Sequence, residues 1–102
     1  MNARNTGNAH SLDAALRDPV EAAAYLEAVV EMNDPAALLL ALRQVANAHG
    51  MAEVARRAEL GEKSLFKALS ENGNPTIDTL HKVLRAVGLR LSIKTAQVRV
   101  RS

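Results

Sequence analysis

The sequence lacks cysteine and tryptophan, and it holds only one tyrosine and one phenylalanine among its 102 residues. Without cysteine the chain can form no disulfide, no thiolate metal site and no cysteine nucleophile. Because aromatic side chains are so scarce, a core must be built from Leu, Val, Ile, Ala and Met, which favours packed helices over a β-sandwich. The apolar content of 48% suffices for one domain with a small core.

Long apolar runs and catalytic motifs are missing as well. No segment approaches the roughly 20 apolar residues of a membrane span, and MNARNTGNAH at the N-terminus lacks the hydrophobic stretch of a signal peptide. The three histidines have no metal-ligand spacing, and the sequence contains no GxSxG motif, no HExxH motif and no Gly-rich phosphate loop. We therefore expect a cytoplasmic protein that is not an enzyme, with no cofactor, metal, membrane or small-molecule substrate.

Charge is distributed unevenly along the chain. Residues 1–34 contain two cations and six acids, a net charge of −4, whereas residues 35–102 contain eleven cations and five acids, a net charge of +6. This asymmetry favours an acidic segment for one partner and a basic body for a polyanion. The alternative is that solvated helix faces merely differ in charge.

Two Asp-Pro pairs, Asp18-Pro19 and Asp34-Pro35, each predict the start of a helix. Aspartate is a good N-cap acceptor for the free N–H groups of a first turn. Proline at the first helical position needs no donor and has its φ already set. Each pair is followed by an apolar pattern of helical length.

The first of these helices is predicted from Pro19 to about Met32, and the second from Pro35 to His49. Gly50 would end the second helix, and His49 in its last turn would complement the helix dipole. The apolar residues of the first helix spread over more than one face: Val20, Tyr25, Leu26, Val29, Val30 and Met32. This helix is either buried on two sides or offers one side to a protein partner.

The stretch MAEVARRAELGEKSLFKALSENGNP, residues 51–75, contains two short helical patterns only about three residues apart. The predicted helices are Met51–Ala58 and Glu62–Ser70. The residues expected to face inward are Val54, Ala55, Ala58, Leu60, Leu65, Phe66 and Leu69. In a helix-turn-helix, such a second helix enters the major groove of DNA and aligns its outward donors, here Lys63, Ser64 and Lys67, with base edges. An ordinary corner in a helical bundle is the alternative.

The rest of the sequence predicts one more helix, after which the spacing of apolar residues changes. Thr76 caps a helix that Gly88 ends, with inward residues Ile77, Leu80, Val83, Leu84 and Val87. Between Leu89 and Thr95 apolar and polar residues alternate, which is typical of a strand. Because a lone strand needs a partner, we expect a hairpin with residues 98–101, pairing with a second copy, or pairing with another protein. The predicted organisation is a disordered tail at 1–10, a single domain at 11–95 and a basic tail at 96–102.

Two segments carry a resemblance to a known family: DPVEAAAYLEAVVEMNDPAALLLALRQVANAHGMAEVARRAEL and SLFKALSENGNPTIDTLHKVLRAVGLRLSIK. The chain resembles the lambda-repressor-like, Xre-type DNA-binding domains and, more narrowly, the addiction-module antidote proteins, which are antitoxins of two-gene toxin–antitoxin systems. This resemblance implies an all-α fold of five helices with a helix-turn-helix at 51–70 and a short C-terminal strand or hairpin.

The resemblance also implies two activities. The protein would neutralise a toxin encoded beside it, typically a RelE-like ribonuclease that cuts messenger RNA. As a homodimer it would bind operator DNA at the nucleoid and repress its own operon. The residues expected to contact DNA are Met51, Ala52, Arg56, Glu62, Lys63, Ser64, Lys67, Asn72 and Asn74. The residues expected to contact protein partners are Tyr25, Leu26, Val30, Met32, Leu89, Leu91 and Ile93.

The chain departs from the family pattern at the corner between the two short helices. Glu59 stands where such proteins usually have glycine, and Gly61 stands where they have a serine or threonine N-cap. A left-handed Glu59 would cost on the order of 1 kcal/mol relative to glycine. The altered corner favours a protein-interaction module that no longer binds DNA. A free-standing Xre-type regulator without a toxin is the other alternative.

Overall fold

The computed structural model describes residues 14–96, and within that range the chain is all-α. Residues 14–16 are helical, and five complete helices follow them. These are α1 (Pro19–Val30), α2 (Pro35–His49), α3 (Met51–Ala58), α4 (Glu62–Ala68) and α5 (Ile77–Ala86). The predicted tail at 1–10, nearly all of the tail at 96–102 and the second arm of the predicted hairpin lie outside the described residues.

Both Asp-Pro pairs begin helices, as predicted. The Asp18 carboxylate accepts a hydrogen bond from the Val20 amide at 3.0 Å. The Asp34 carboxylate accepts from the Ala36 and Ala37 amides at 3.1 and 3.3 Å. Helix α1 ends two residues earlier than expected, at Val30, because the next residues form a turn in which Asn33 takes the left-handed conformation.

Two glycines with positive φ end helices where the sequence predicted. Gly50 has φ +97° between α2 and α3, and Gly88 has φ +87° after α5. Gly88 is required for a second reason, since a Cβ there would come within 3.0 Å of the Pro19 ring. The end of α5 therefore packs directly on the start of α1.

The core lies between the helices and is built from aliphatic residues and alanine. Its most deeply buried large side chains are Leu65, Leu69, Val45, Val54 and Val83. Two residues expected in the core are exposed instead: Phe66 by 52% and Ile77 by 74%. Phe66 follows the buried Leu65 by about 100° around α4, which turns it away from the core. Ile77 is the first residue of α5 and precedes the part of that helix that packs.

Three arginine side chains fasten helix ends to other elements. Arg17 donates to the Ala48 carbonyl at 2.9 Å, Arg43 to the Leu69 carbonyl at 2.7 Å and Arg57 to the Ala86 carbonyl at 3.3 Å. Each carbonyl lies at the C-terminal end of a helix, where carbonyl groups lack partners within the helix and the dipole is negative. These cations therefore serve the fold.

The predicted strand at 89–95 is not formed within the described residues, where the chain from 89 to 96 has no regular structure. The backbone groups of a strand must pair with a second strand, and residues 14–88 are helices and turns that provide none. None of the helices described is long and apolar enough to cross a membrane.

Candidate functional site

The corner between α3 and α4 is closed by backbone hydrogen bonds. The Leu60 amide donates to the Ala55 carbonyl at 2.9 Å and the Glu59 amide to the Arg56 carbonyl at 3.2 Å, an arrangement that satisfies the last carbonyls of α3. Glu59 itself lies at φ 58° and ψ 44°, the left-handed conformation that its place at the corner predicted. The hydrogen bonding of the corner is thus regular, although glutamate is an unfavourable residue for the left-handed conformation that Glu59 adopts.

The start of α4 is equally regular without a side-chain cap. Gly61 has an extended conformation, with φ −69° and ψ 144°, and its carbonyl accepts from the Leu65 amide at 2.9 Å. Behind the corner, Ala55 and Leu65 are buried, so the two helices approach closely. This packing directs the opposite face of α4 to solvent.

The outward face of α4 brings several predicted DNA-contacting residues together. Lys63, Ser64 and Lys67 are exposed, and with Phe66 and Ser70 they line an open groove of about 520 Å³. Glu62 is exposed at the first residue of the helix but does not line this groove. The hydroxyl of Ser70 donates to the Lys67 carbonyl at 2.8 Å and closes the end of the helix.

The first two residues of α3 differ in exposure to solvent. The side chain of Met51 is buried and Ala52 is exposed, so a contact from Met51 could come only through its backbone. Gly50 precedes them and has no side chain to cap the helix. The first amides of α3 are therefore free of a side-chain cap, which is the arrangement that the predicted phosphate contact requires.

Arg56, another predicted DNA contact, is already engaged within the chain. It donates to both Glu53 carboxylate oxygens, at 3.1 and 2.5 Å, and Arg57 donates to the same carboxylate at 2.7 Å. The hydrogen bond from Arg56 lowers the pKa of Glu53 to about 2, with a further contribution from Arg57. A phosphate would have to compete with Glu53 for Arg56. Asn72 and Asn74 are exposed in the turn after α4.

The predicted protein-binding residues of α1 divide between the core and the surface. Leu26 is buried, and its neighbour Tyr25 is half-buried, with its hydroxyl donating to the Gln44 side chain of α2. Leu26 is therefore a core residue in this chain rather than part of an exposed surface. Val30 and Met32 are exposed, as the predicted contact requires.

The segment after α5 lies beside the outer face of α1. Leu89 packs partly against the core, whereas Leu91 is exposed and Ile93 is 96% exposed. Lys94 reaches the Glu27 carboxylate of α1 at 3.6 Å. On a helix, residues three and seven positions apart share a face, so Glu27 lies on the same side of α1 as the exposed Val20 and Val30.

His49 lies in the last turn of α2, the position from which the sequence predicted that it complements the helix dipole. Its Nε2 atom is buried without a hydrogen-bond partner among the described residues. Burial lowers the pKa of His49, and the nearby positive charges of Arg57 and Arg17 lower it further. Because a dipole interaction requires the charged imidazolium, this lowering of the pKa works against the predicted interaction of His49 with the helix end.

Sequence reasoning missed two features of this region. It placed Phe66 in the core, although the buried Leu65 and Leu69 already supply an inward pair four residues apart, and this spacing was a usable signal. It also missed the contact between Glu27 and Lys94, for which no local pattern exists because the two residues lie 67 positions apart in the sequence. Among residues 14–96, no cluster of His, Asp and Glu could hold a metal ion.

Comparison of this sequence with known proteins identifies the family to which the chain belongs. A protein of Haemophilus influenzae that is described as uncharacterized is 34% identical over 73 residues, which span 72% of this chain and 75% of that protein. No solved structure matches the chain. Residues 8–95 match the model of the family described as "probable addiction module antidote protein". The chain therefore belongs to this addiction-module antidote family.

Proposed function

We propose that this protein is an antitoxin that neutralises a toxin encoded beside it and binds its own operator DNA as an autorepressor. The observation that carries the antitoxin role is the match of residues 8–95 to the antidote family, since an antidote implies a toxin partner. The protein acts by binding, without catalysis or a cofactor, and it does so in the cytoplasm at the nucleoid.

The DNA-binding half of the proposal rests on α3 and α4. We assign them as the helix-turn-helix of a lambda-repressor-like, Xre-type domain. The support is a three-residue connection with closed hydrogen bonding, a buried interface at Ala55 and Leu65, and an outward face that carries Lys63, Ser64 and Lys67. Such a helix fits the major groove, where ammonium and hydroxyl donors meet guanine and phosphate acceptors.

The toxin-binding half rests on the outer surface formed by α1 and the segment 89–94. We define this composite surface by Val20, Val30, Met32, Leu91 and Ile93, all of them exposed. Glu27 and Lys94 join its two parts. The two stretches that sequence analysis treated as separate protein-binding candidates therefore act as one surface here.

The charge around the composite surface suits a basic partner. The part of the chain up to residue 34 carries a net charge of −4, and Glu21, Glu27 and Glu31 of α1 and its C-cap are exposed. A small RelE-like ribonuclease, which is basic because it binds RNA, complements such a surface. The backbone of residues 90–95, which forms no regular structure within the described part of the chain, could add a strand to a partner sheet or pair with a second copy in a homodimer.

The test is to express the neighbouring small open reading frame alone and together with this chain, and to record growth. We expect arrest that this chain relieves. In parallel, a gel-shift titration of the DNA upstream of the gene should give an affinity that falls steeply with salt. Failure of the neighbour to arrest growth, although it is expressed, would contradict the antitoxin role and favour a free-standing regulator. Absence of a salt-dependent shift would contradict autorepression.

A further inference from the structure

Phe66 is the chain's one phenylalanine, and 52% of it is exposed on the outward face of α4. The same short helix buries Leu65 completely and is followed by Leu69, which is 1% exposed. A single exposed apolar side chain is common on protein surfaces, so the groups around Phe66 decide whether it serves a partner.

The surroundings of Phe66 indicate what kind of partner this is. Lys63 lies one helical turn before Phe66, Lys67 follows it directly, and both line the same groove with two serines. Among residues 14–96 no acidic side chain lines this groove, and the exposed Glu62, one turn before Phe66, lies outside it. An aromatic ring between two ammonium groups complements a polyanion that presents an apolar group among its charges.

Duplex DNA has this combination. In the major groove, thymine alone among the four bases presents a methyl group, and apolar side chains recognise it by contact, while guanine presents two acceptors to lysine. We propose that Phe66 packs against a thymine C5-methyl group in the operator, with Lys63 and Lys67 on adjacent guanine edges or phosphates. This inference rests on the proposed DNA binding and adds a residue and a base to it.

The test uses the DNA upstream of this chain's gene, prepared either with thymine or with deoxyuridine, which lacks only the methyl group. Each lost methyl contact should weaken binding of the wild-type protein about fourfold. Phe66→Ala should bind thymine DNA less tightly than wild type and should bind both DNAs equally well. Phe66→Leu, which keeps an apolar side chain, should retain sensitivity to deoxyuridine.

Leu40→Ala is the matched control, since Leu40 is also an exposed apolar residue but lies on α2 and belongs to neither proposed binding surface. It should keep the wild-type sensitivity to deoxyuridine. The unfolding temperature of each variant confirms that it is folded. Should Phe66→Ala not fold, the comparison of the two DNAs with wild type and Phe66→Leu still tests the contact.

Three outcomes would overturn the inference. Equal binding of both DNAs by the wild-type protein would remove the thymine contact while leaving the proposed DNA binding intact. Loss of a dimer in Phe66→Ala by analytical ultracentrifugation, without a deoxyuridine effect in wild type, would assign the face to a second copy. No salt-dependent binding of either DNA would refute the proposed DNA-binding function and this inference with it.

Discussion

At the scale of single residues, Glu59 is an unfavourable residue for the backbone conformation that it adopts. It holds φ 58° at the corner between α3 and α4, where a side chain with a Cβ is strained. Glu59→Gly should therefore raise the free energy of unfolding by about 0.5–1 kcal/mol, because the relief of strain exceeds the added entropy of the unfolded chain. Thermal unfolding of a chain of this size should register the change as a few degrees.

Glu59→Ala is the control for this prediction, because it removes the same charge but keeps the Cβ. It should be no more stable than the wild type. Equal stabilisation by alanine and glycine would show that the glutamate charge, rather than the left-handed backbone, is what costs stability.

His49 provides a pH-dependent prediction at the same scale. Burial and the charges of Arg57 and Arg17 lower its pKa in the folded state below the ordinary value of 6.5. The unfolded chain therefore binds a proton more readily, so the free energy of unfolding should fall as the pH drops through 6.5 and level off below the folded pKa. Urea titrations between pH 7.5 and pH 5.5 would measure this slope.

His49→Gln should remove most of the slope, because the side chain no longer titrates. A His49→Gln variant with an unchanged slope would assign the pH dependence to another group.

At the scale of elements, α4 carries the proposed contact with DNA. Lys67 is exposed on its outward face, so Lys67→Ala should weaken operator binding by about 1–3 kcal/mol and relax the preference at one base pair if it contacts a base. If Lys67 contacts phosphate instead, all sequences should weaken alike and the salt slope should decrease by about one unit. Gel-shift titrations at several salt concentrations separate the two cases.

Lys82→Ala is the matched control for Lys67→Ala, since Lys82 lies on α5 and pairs with Asp78 at 3.2 Å. It should bind the operator as the wild type does. Operator binding that is unaffected by Lys67→Ala would show that the outward face of α4 does not enter the groove.

The bounds of the helices show which parts of the fold are determined by short stretches of sequence. Helices α2 and α3 have the bounds that their caps and glycine predicted, because an Asp-Pro start and a glycine end act through the backbone of a few neighbouring residues. Helix α1 starts as predicted and ends two residues early, at Val30, and α4 ends at Ala68 rather than Ser70. The sequence predicts the end of a helix poorly where no strong stop signal marks it, because the last turn of a helix frays.

At the scale of the whole molecule, the composite surface makes a prediction about neutralisation. Val30 on α1 and Ile93 on the C-terminal segment lie far apart in sequence, yet Val30→Lys and Ile93→Lys each place a positive charge in the same exposed apolar surface, against a basic partner. Each variant alone should therefore weaken toxin binding by about 2 kcal/mol or more. Titration calorimetry with the purified toxin, and growth rescue in cells, would measure this loss.

Ile77→Lys is the control for the surface variants, because Ile77 is also exposed but belongs to α5 and not to the composite surface. It should neutralise the toxin normally. Weakening by Val30→Lys alone would restrict the toxin contact to α1, and weakening by Ile93→Lys alone would restrict it to the segment.

The sequence by itself determined the class of fold, the starts of the described helices and the sharp corner before α4, because these depend on periodicity, caps and backbone freedom within a few residues. Only the tertiary structure decided that Phe66 faces solvent, that Leu26 is buried and that three arginines hold helix ends. It also decided that Lys94 meets Glu27. The physical reason is that an amphipathic pattern indicates which residues are buried but not which other residues cover them. Contacts between distant segments depend on how whole helices pack.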